Sequence, residues 1–205
     1  MPRCGQAWSG RETINVDKKM SFMITGKSAL LCHNPAAMEQ PKDKGKATKG
    51  KAVYDPMVEA EAGLYIDDGK CCFPGIGVRN SIIKAAGDWK PLSGKKRGSL
   101  TTTVAHIIVE PEMIPIIDAK GKPMKSYDID RRRAVVQRQG IIRSRPKFSN
   151  WHLRFDIVYD ADIIPMDDNA TREMFTGLLN DAGKRVGIGD YRPAKTGWFG
   201  MFTCE

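Results

Sequence analysis

The sequence predicts an α+β fold, an antiparallel sheet with helices packed on one face and long basic loops projecting from it. Three observations lead there. Residues 150–160 alternate strictly, with Trp151, Leu153, Phe155, Ile157 and Tyr159 on one side and His152, Arg154 and Asp156 on the other. That is the period of a half-buried strand. Residues 170–182 place Met174, Phe175, Leu178, Leu179 and Ala182 on one helical stripe behind an Asp167-Asp168-Asn169 cap. The elements along the chain read strand, helix, hairpin, helix, long strands, helix, glycine-rich loop and strand, an order suited to helices layered on a sheet.

At 205 residues the chain is long enough to bury one core. Residues 1–19 read as an N-terminal arm, and residues 20–205 as a single domain. Hydrophobic content of 41% and charged content of 28% are those of a soluble globular protein. A net charge of +9 points to nucleic acid or another anionic partner. No apolar run approaches the ~20 residues of a membrane helix, and residues 1–19 lack the apolar centre of a signal peptide. No membrane association is expected, and a cytoplasmic location is, the host cytoplasm for a virus-encoded chain. Cys4, Cys32, Cys71, Cys72 and Cys204 are odd in number and irregular in spacing, so free thiols are expected rather than a disulfide framework. None has metal-ligand spacing.

Taken in order, residues 21–33 are rich in apolar residues and read as a buried first strand ended by Asn34-Pro35. Residues 41–51 hold many Lys and Gly and no large apolar side chain; such a segment cannot offset its ordering entropy by burial, which predicts a mobile loop. Asp55-Pro56 reads as the N-cap and first position of a short helix. Asp67-Asp68-Gly69 between residues 64–66 and 70–73 reads as a hairpin turn. Residues 76–86 have helical spacing, with Arg79 and Lys84 outward and Gly87 as the stop. A basic loop follows at residues 90–99, with Lys95, Lys96 and Arg97 at its centre. The β-branched run at residues 100–111 predicts a strand, continued at 113–117 past Pro111, and residues 119–123 a turn. His106, in that run, reads as a packed histidine. Residues 127–144 carry Arg131, Arg132, Arg133, Arg138 and Arg143 around Gly140 and read as a strand or irregular hairpin arm. With Arg145, Lys147 and Arg154 they would form one basic sheet surface. Gly183 would end the last helix, and residues 198–203 read as the last strand.

The tail between them, residues 180–202, packs five glycines, four basic side chains and four aromatics. Its glycines admit positive φ and close approach to backbone or ligand. Lys184, Arg185, Arg192 and Lys195 would face phosphates, and Tyr191, Trp198, Phe199 and Phe202 offer stacking faces. Packing of a final strand and turn against the core is the alternative use of the same residues. Catalytic motifs are absent. There is no phosphate-binding G-x-x-x-x-G-K-[ST], no G-x-S-x-G, and the G-I-G at 187–189 lacks the third glycine and helix of a dinucleotide site. Asp67-Asp68 and Asp167-Asp168 read as a turn and a cap. No cofactor and no metal are expected.

Two stretches resemble the RAMP superfamily, the RNA-binding subunits of CRISPR effector complexes. One is F-P-G-I-G-V-R-N-S-I-I-K-A-A at residues 73–86, similar to the tight strand-to-helix turn of that superfamily. The other is G-K-R-V-G-I-G-D-Y-R-P-A-K-T-G-W-F-G-M-F at residues 183–202, similar to its C-terminal glycine-rich loop; with the helix end before it, this tail also looks like small phage proteins. Together they cover about a sixth of the chain. Where the family usually has Ser-Ser or Ser-Ile-Lys-Gly, this chain has Ile76-Gly77-Val78-Arg79, and it is shorter than most of those subunits. The resemblance implies an RRM/ferredoxin-like fold and an RNA-type ligand, not membership of such a complex.

The expected function is therefore non-enzymatic binding of a single-stranded nucleic acid, RNA slightly ahead of single-stranded DNA, by a protein that oligomerises along its ligand. The contacts would come from Lys95, Lys96, Arg97, Arg131, Arg132, Arg133, Arg138, Arg143, Arg145, Lys184, Arg185, Tyr191, Arg192 and Trp198. A self-assembling structural protein, or an inhibitor mimicking an effector subunit, is the first rival. A metal-dependent nuclease using Asp160 and Asp162 is the second.

Overall fold

The computed structural model describes residues 17–35, 55–94, 98–136 and 139–204. The fold is α+β, with antiparallel sheets and four helices. The described residues form ten strands: β1 (Asp17–Gly26), β2 (Leu30–Leu31), β3 (Tyr65–Asp67), β4 (Lys70–Pro74), β5 (Ile108–Glu110), β6 (Met113–Ile117), β7 (Asp128–Val136), β8 (Gln139–Phe148), β9 (His152–Asp160) and β10 (Phe202–Cys204). The helices are α1 (Pro56–Ala62), α2 (Gly75–Ala85), α3 (Thr101–Val104) and α4 (Asp168–Asp181).

The main sheet runs β10-β1-β9-β6-β4-β3, and β5 pairs with β9 beside β6. At its centre β1 and β9 lie antiparallel with Met20 opposite Ile157 and Phe22 opposite Phe155. Their alternation sends Met20, Phe22, Ile24, Leu153, Phe155, Ile157 and Tyr159 into the core. From the other side α2 brings Val78, Ile82 and Ala85, and α4 brings Met174, Phe175, Leu178 and Leu179. The Phe175 ring meets Phe22 edge-on at 6.1 Å and Tyr159 at 5.6 Å. Each such side chain contributes roughly 1.5–3 kcal/mol through the apolar area it removes from water. On β1 and β9 the other face presents Lys19, Ser21, Met23, Thr25, His152, Arg154, Asp156 and Val158, with the His152 imidazole its only ring.

Most local readings hold. Asp55 caps α1 by accepting from the Met57 N–H, with Pro56 at its start. Asp68 and Gly69 take φ of 47° and 69° in the two-residue turn between β3 and β4. Asp167 accepts from the Ala170 N–H and caps α4. Residues 113–117 and 152–160 are strands as expected, and Cys32, Cys71, Cys72 and Cys204 are buried free thiols. Burial pushes the Cys32 thiol well above its ordinary value.

Five expectations change. Residues 17–19, assigned to the arm, belong to β1; residues 1–16 lie outside the described residues, as do the Lys/Gly loop at 41–51, Lys95, Lys96, Arg97 and Arg138. The first strand is two, because the chain turns at residues 27–29, where the Ser28 carbonyl accepts from the Trp151 indole (2.7 Å). Residues 101–104 are helical, not extended: Leu100, Val104 and Ile107 are all buried at a spacing of four and three, and that burial outweighs the β-preference of three threonines. Gly183 does not stop α4, which continues as a π turn over Ala182–Val186. Gly87, by contrast, stands where expected, just past the Ala86 C-cap of α2, within a 3₁₀ turn, Ala86–Asp88.

The largest revision concerns β7 and β8. They form a regular hairpin that, with β2, makes a separate three-stranded sheet. Arg154 stays behind on β9 in the main sheet. The arginines thus do not share one sheet surface, because the hairpin pairs with the two residues of β2 instead of with β9.

Candidate nucleic-acid interface

The tail's local structure follows from its glycines. Gly187, Gly189 and Gly200 take φ of 68°, 75° and 63°. A methyl group on Gly189 would overlap the Leu31 carbonyl, one on Gly197 the Tyr191 carbonyl, and one on Gly200 the Ile188 carbonyl. This close approach lets the tail bond to its neighbours: Asp190 N–H donates to Leu31 O (2.9 Å), Gly200 N–H to Ala29 O (2.8 Å) and Ile188 N–H to Gly200 O (3.0 Å). The glycines therefore serve the chain's own backbone, and the resulting loop stands over β2 as one wall of a cleft.

The opposite wall is α2. Ile76, Asn80 and Lys84 recur every four residues on the side turned away from the core and, with residues 186–190 of the tail, enclose a volume of about 410 Å³. His33, Tyr65 and Phe73 also line it, and Arg192 stands among the lining residues. The Tyr65 hydroxyl donates to the His33 carbonyl (3.1 Å). Burial lowers the His33 imidazole from its ordinary value, against the pull of Asp190. Arg192 donates to the Gly189 carbonyl (2.7 Å), which ties it to the loop.

The hairpin carries most of the expected arginines, and antiparallel register sorts them. Arg132 lies opposite Arg143 and Asp130 opposite Arg145, on one face, whereas Arg131 and Arg133 fall on the other. The first face is neutralised within the protein. Arg132 makes both contacts of its Nε to the Asp130 carboxylate (2.9 and 2.8 Å) and lies 4.6 Å from the Phe199 ring centroid and 5.6 Å from that of Trp198. Arg145 is buried, bonds Asp190 at 2.5 Å and stacks on Tyr191 at 4.9 Å. Arg143 pairs with Glu59 of α1 (2.8 Å), whose other oxygen accepts from the Ser144 N–H (2.8 Å).

Arg185 is similarly engaged, gripping Asp181 and Asp88. The Tyr191 ring is covered by Arg145, and its hydroxyl donates to the Arg133 carbonyl (3.3 Å). Arg132, Arg143, Arg145, Arg185 and Tyr191 are thus positioned by, and for, the fold. For Arg143 and Arg145 the sequence could not reveal this, because Glu59 and Asp190 reach them only through tertiary pairing, as Asp88 reaches Arg185; Asp130, two residues from Arg132, and Asp181, four from Arg185, are local partners.

What remains exposed is Arg131, Arg133, Lys184, Lys195 and Trp198. Among the described residues none of these four cations forms an ion pair. Trp198 is 63% exposed, the one aromatic among the large exposed apolar side chains described. Its ring is stacked on Phe199 (5.7 Å, 27°), which is itself buried. Phe199 and the Arg132 guanidinium (5.6 Å) thus lie against a Trp198 ring that stays largely exposed.

His33, Tyr65, Asn80 and Lys84 were not expected at a site. The available signal was the Ile76-Asn80-Lys84 repeat, a second stripe on α2 that its core stripe does not use. The acidic pair of the nuclease alternative is local structure: Asp160 accepts from the Asp162 N–H (2.7 Å). The His106 ring accepts from the Asp160 N–H at 3.4 Å, in keeping with a packed role. No group of three or more metal-ligating side chains occurs among the described residues, and no helix there is long and apolar enough to cross a membrane. No protein-family model and no curated protein matches the chain.

Proposed function

We propose that this protein binds single-stranded nucleic acid without chemically altering it, with RNA preferred over single-stranded DNA. The observation that carries the reading is a set of exposed, internally unpaired cations: Lys184 and Lys195 on the tail that presents Trp198 and walls the cleft, and Arg131 and Arg133 on the face of β7 turned away from Trp198. Phosphates would meet the cations, and a base would stack on Trp198. The order β10-β1-β9-β6, with α2 and α4 as the connecting helices, supports a ferredoxin-like core in which β3, β4 and the β7–β8 hairpin are insertions. The two stretches that resemble RAMP proteins face each other across the cleft, which supports the same ligand class. On the open face of β1 and β9 the only ring is the half-buried His152 imidazole, tied to Thr25, with no Phe, Tyr or Trp, which favours the tail and hairpin as the binding surface.

Fluorescence anisotropy with labelled single-stranded RNA, single-stranded DNA and duplex, over a salt series, tests this. Single strands are expected to bind more tightly than duplex, with log affinity falling linearly in log salt at about 0.7 per neutralised phosphate. Absence of binding at low salt would refute the reading. Large particles free of nucleic acid in sedimentation would then favour a self-assembling protein.

A further inference from the structure

We propose that the cleft between α2 and the glycine loop takes one unstacked nucleobase of the bound strand, with its adjoining phosphates at Lys84 and Arg192. This rests on the nucleic-acid reading and names what the cleft does within it. The volume of about 410 Å³ lies in the range of small-molecule pockets and far exceeds what a phosphate alone needs. The lining is mixed: Tyr65, Phe73, Ile76, Val186 and Ile188 supply apolar surface beside His33, Asn80, Lys84 and Arg192, whereas a bare-anion site needs only converging N–H groups and charges. Apolar surface shared with a few polar groups suits an aromatic heterocycle.

Those polar groups are present. Asn80 is exposed on α2 and offers donors and an acceptor together. His33, held below its ordinary value chiefly by burial, is neutral near pH 7 and presents one donor or acceptor nitrogen of each kind. Asp190 adds no free charge, since its carboxylate already accepts from Arg145 and from the Tyr191 N–H. Lys84 is exposed and Arg192 half-buried among the lining residues, and a sugar-phosphate chain would pass against them.

The test uses 2-aminopurine moved position by position through a nine-nucleotide single strand, with affinity measured for each. One position should brighten on binding, as the probe leaves the stack, and an abasic residue there should weaken binding by about 5- to 150-fold. Asn80→Trp fills the cleft from an exposed helix position. It should abolish the bright position and bind the intact strand no better than the parent binds the abasic one. Asn80→Ala, which needs no new volume, should retain the bright position and lose discrimination among bases. Arg131→Ala with Arg133→Ala should weaken every strand while keeping the bright position.

Intact binding and an unchanged probe pattern in Asn80→Trp, with unfolding like the parent's, would overturn the inference but leave the nucleic-acid reading standing. Uniform probe response along the strand would do the same. Failure of every strand to bind would overturn both. Tighter binding of nucleoside monophosphate than of the strand would assign the cleft to free nucleotide and overturn insertion from a strand.

Discussion

Arg145 separates the two roles that a basic residue in this protein can have. Its side chain is 7% exposed, whereas that of Asp190 is 33% exposed. Replacing Arg145 by Met keeps much of the volume and removes the charge. Breaking a fully buried pair costs about 3–5 kcal/mol because one charge is left unpaired. Asp190 retains water on a third of its surface, which discounts this to about 2–3 kcal/mol. For a chain of 205 residues that corresponds to a fall in Tm of roughly 4–12 °C. Thermal and urea unfolding would measure it. Since Asp190 and Tyr191 lie in the loop between the cleft and Trp198, affinity for single strands should also drop. The salt slope should not, because the Arg145 charge is already spent. An unchanged Tm together with a slope lower by about 0.7 would mean that Arg145 reaches a phosphate, and the assignment to internal pairing would be refuted.

The complementary change is Arg131→Ala with Arg133→Ala, which should leave Tm within about 1 °C and lower the salt slope by about 1.4; between 50 and 200 mM salt the gap from the parent then narrows about sevenfold, and a constant gap would deny phosphate contact. Trp198→Ala should weaken single-strand binding by about 5- to 150-fold and lower stability by only about 0.5–1.5 kcal/mol through the lost Phe199 stack, and equal loss for an abasic strand would argue against stacking. Gly189→Ala and Gly121→Ala compare two glycines of φ 75°, one against the Leu31 carbonyl and one with no atom within 4 Å of the added methyl. The second should cost about 1 kcal/mol and the first at least twice that in urea unfolding; equal costs would refute the close-approach argument. The Asp181 carboxyl is held below its ordinary range first by Arg185 and also by the Trp89 indole. Its contribution is therefore present above the unfolded-chain value near 3.9 and is lost as pH falls through the lower folded value. Asp181→Asn should flatten the stability profile in that acid window, and an unaltered profile would show that the pair does not matter.

Much of the fold was legible because its signals are local. The period-2 run of β9, the capped stripe of α4, the Asp68-Gly69 turn and the Asp55-Pro56 start of α1 each depend on residues within a few positions of one another. The failures have two causes. Residues 101–104 look extended by composition, yet Leu100, Val104 and Ile107 are buried together. Gly183 looks like a stop, yet a methyl there would overlap the Phe202 carbonyl, so its glycine answers to β10 packing across α4, not to the end of a helix. In the first case burial of a local stripe overrides composition, and in the second a partner distant in sequence decides.

The same division explains how much of the site could be read. Basic and aromatic residues were visible as a list, but their availability was not, because charge is a property of pairs. Arg132 and Arg133 are neighbours in sequence and opposite in fate: alternation along β7 turns the first toward Asp130, Phe199 and Trp198 and the second outward. In the proposed function, binding free energy would come from the second kind of residue. Precision comes from the first, since an exposed Trp198 held by Phe199 and by an Arg132 already locked to Asp130 loses little side-chain entropy when a base arrives. A surface in which half the arginines are neutralised is therefore no weaker a candidate for nucleic acid than a fully free one. The internal pairs fix the geometry that the free cations and the open aromatic face require.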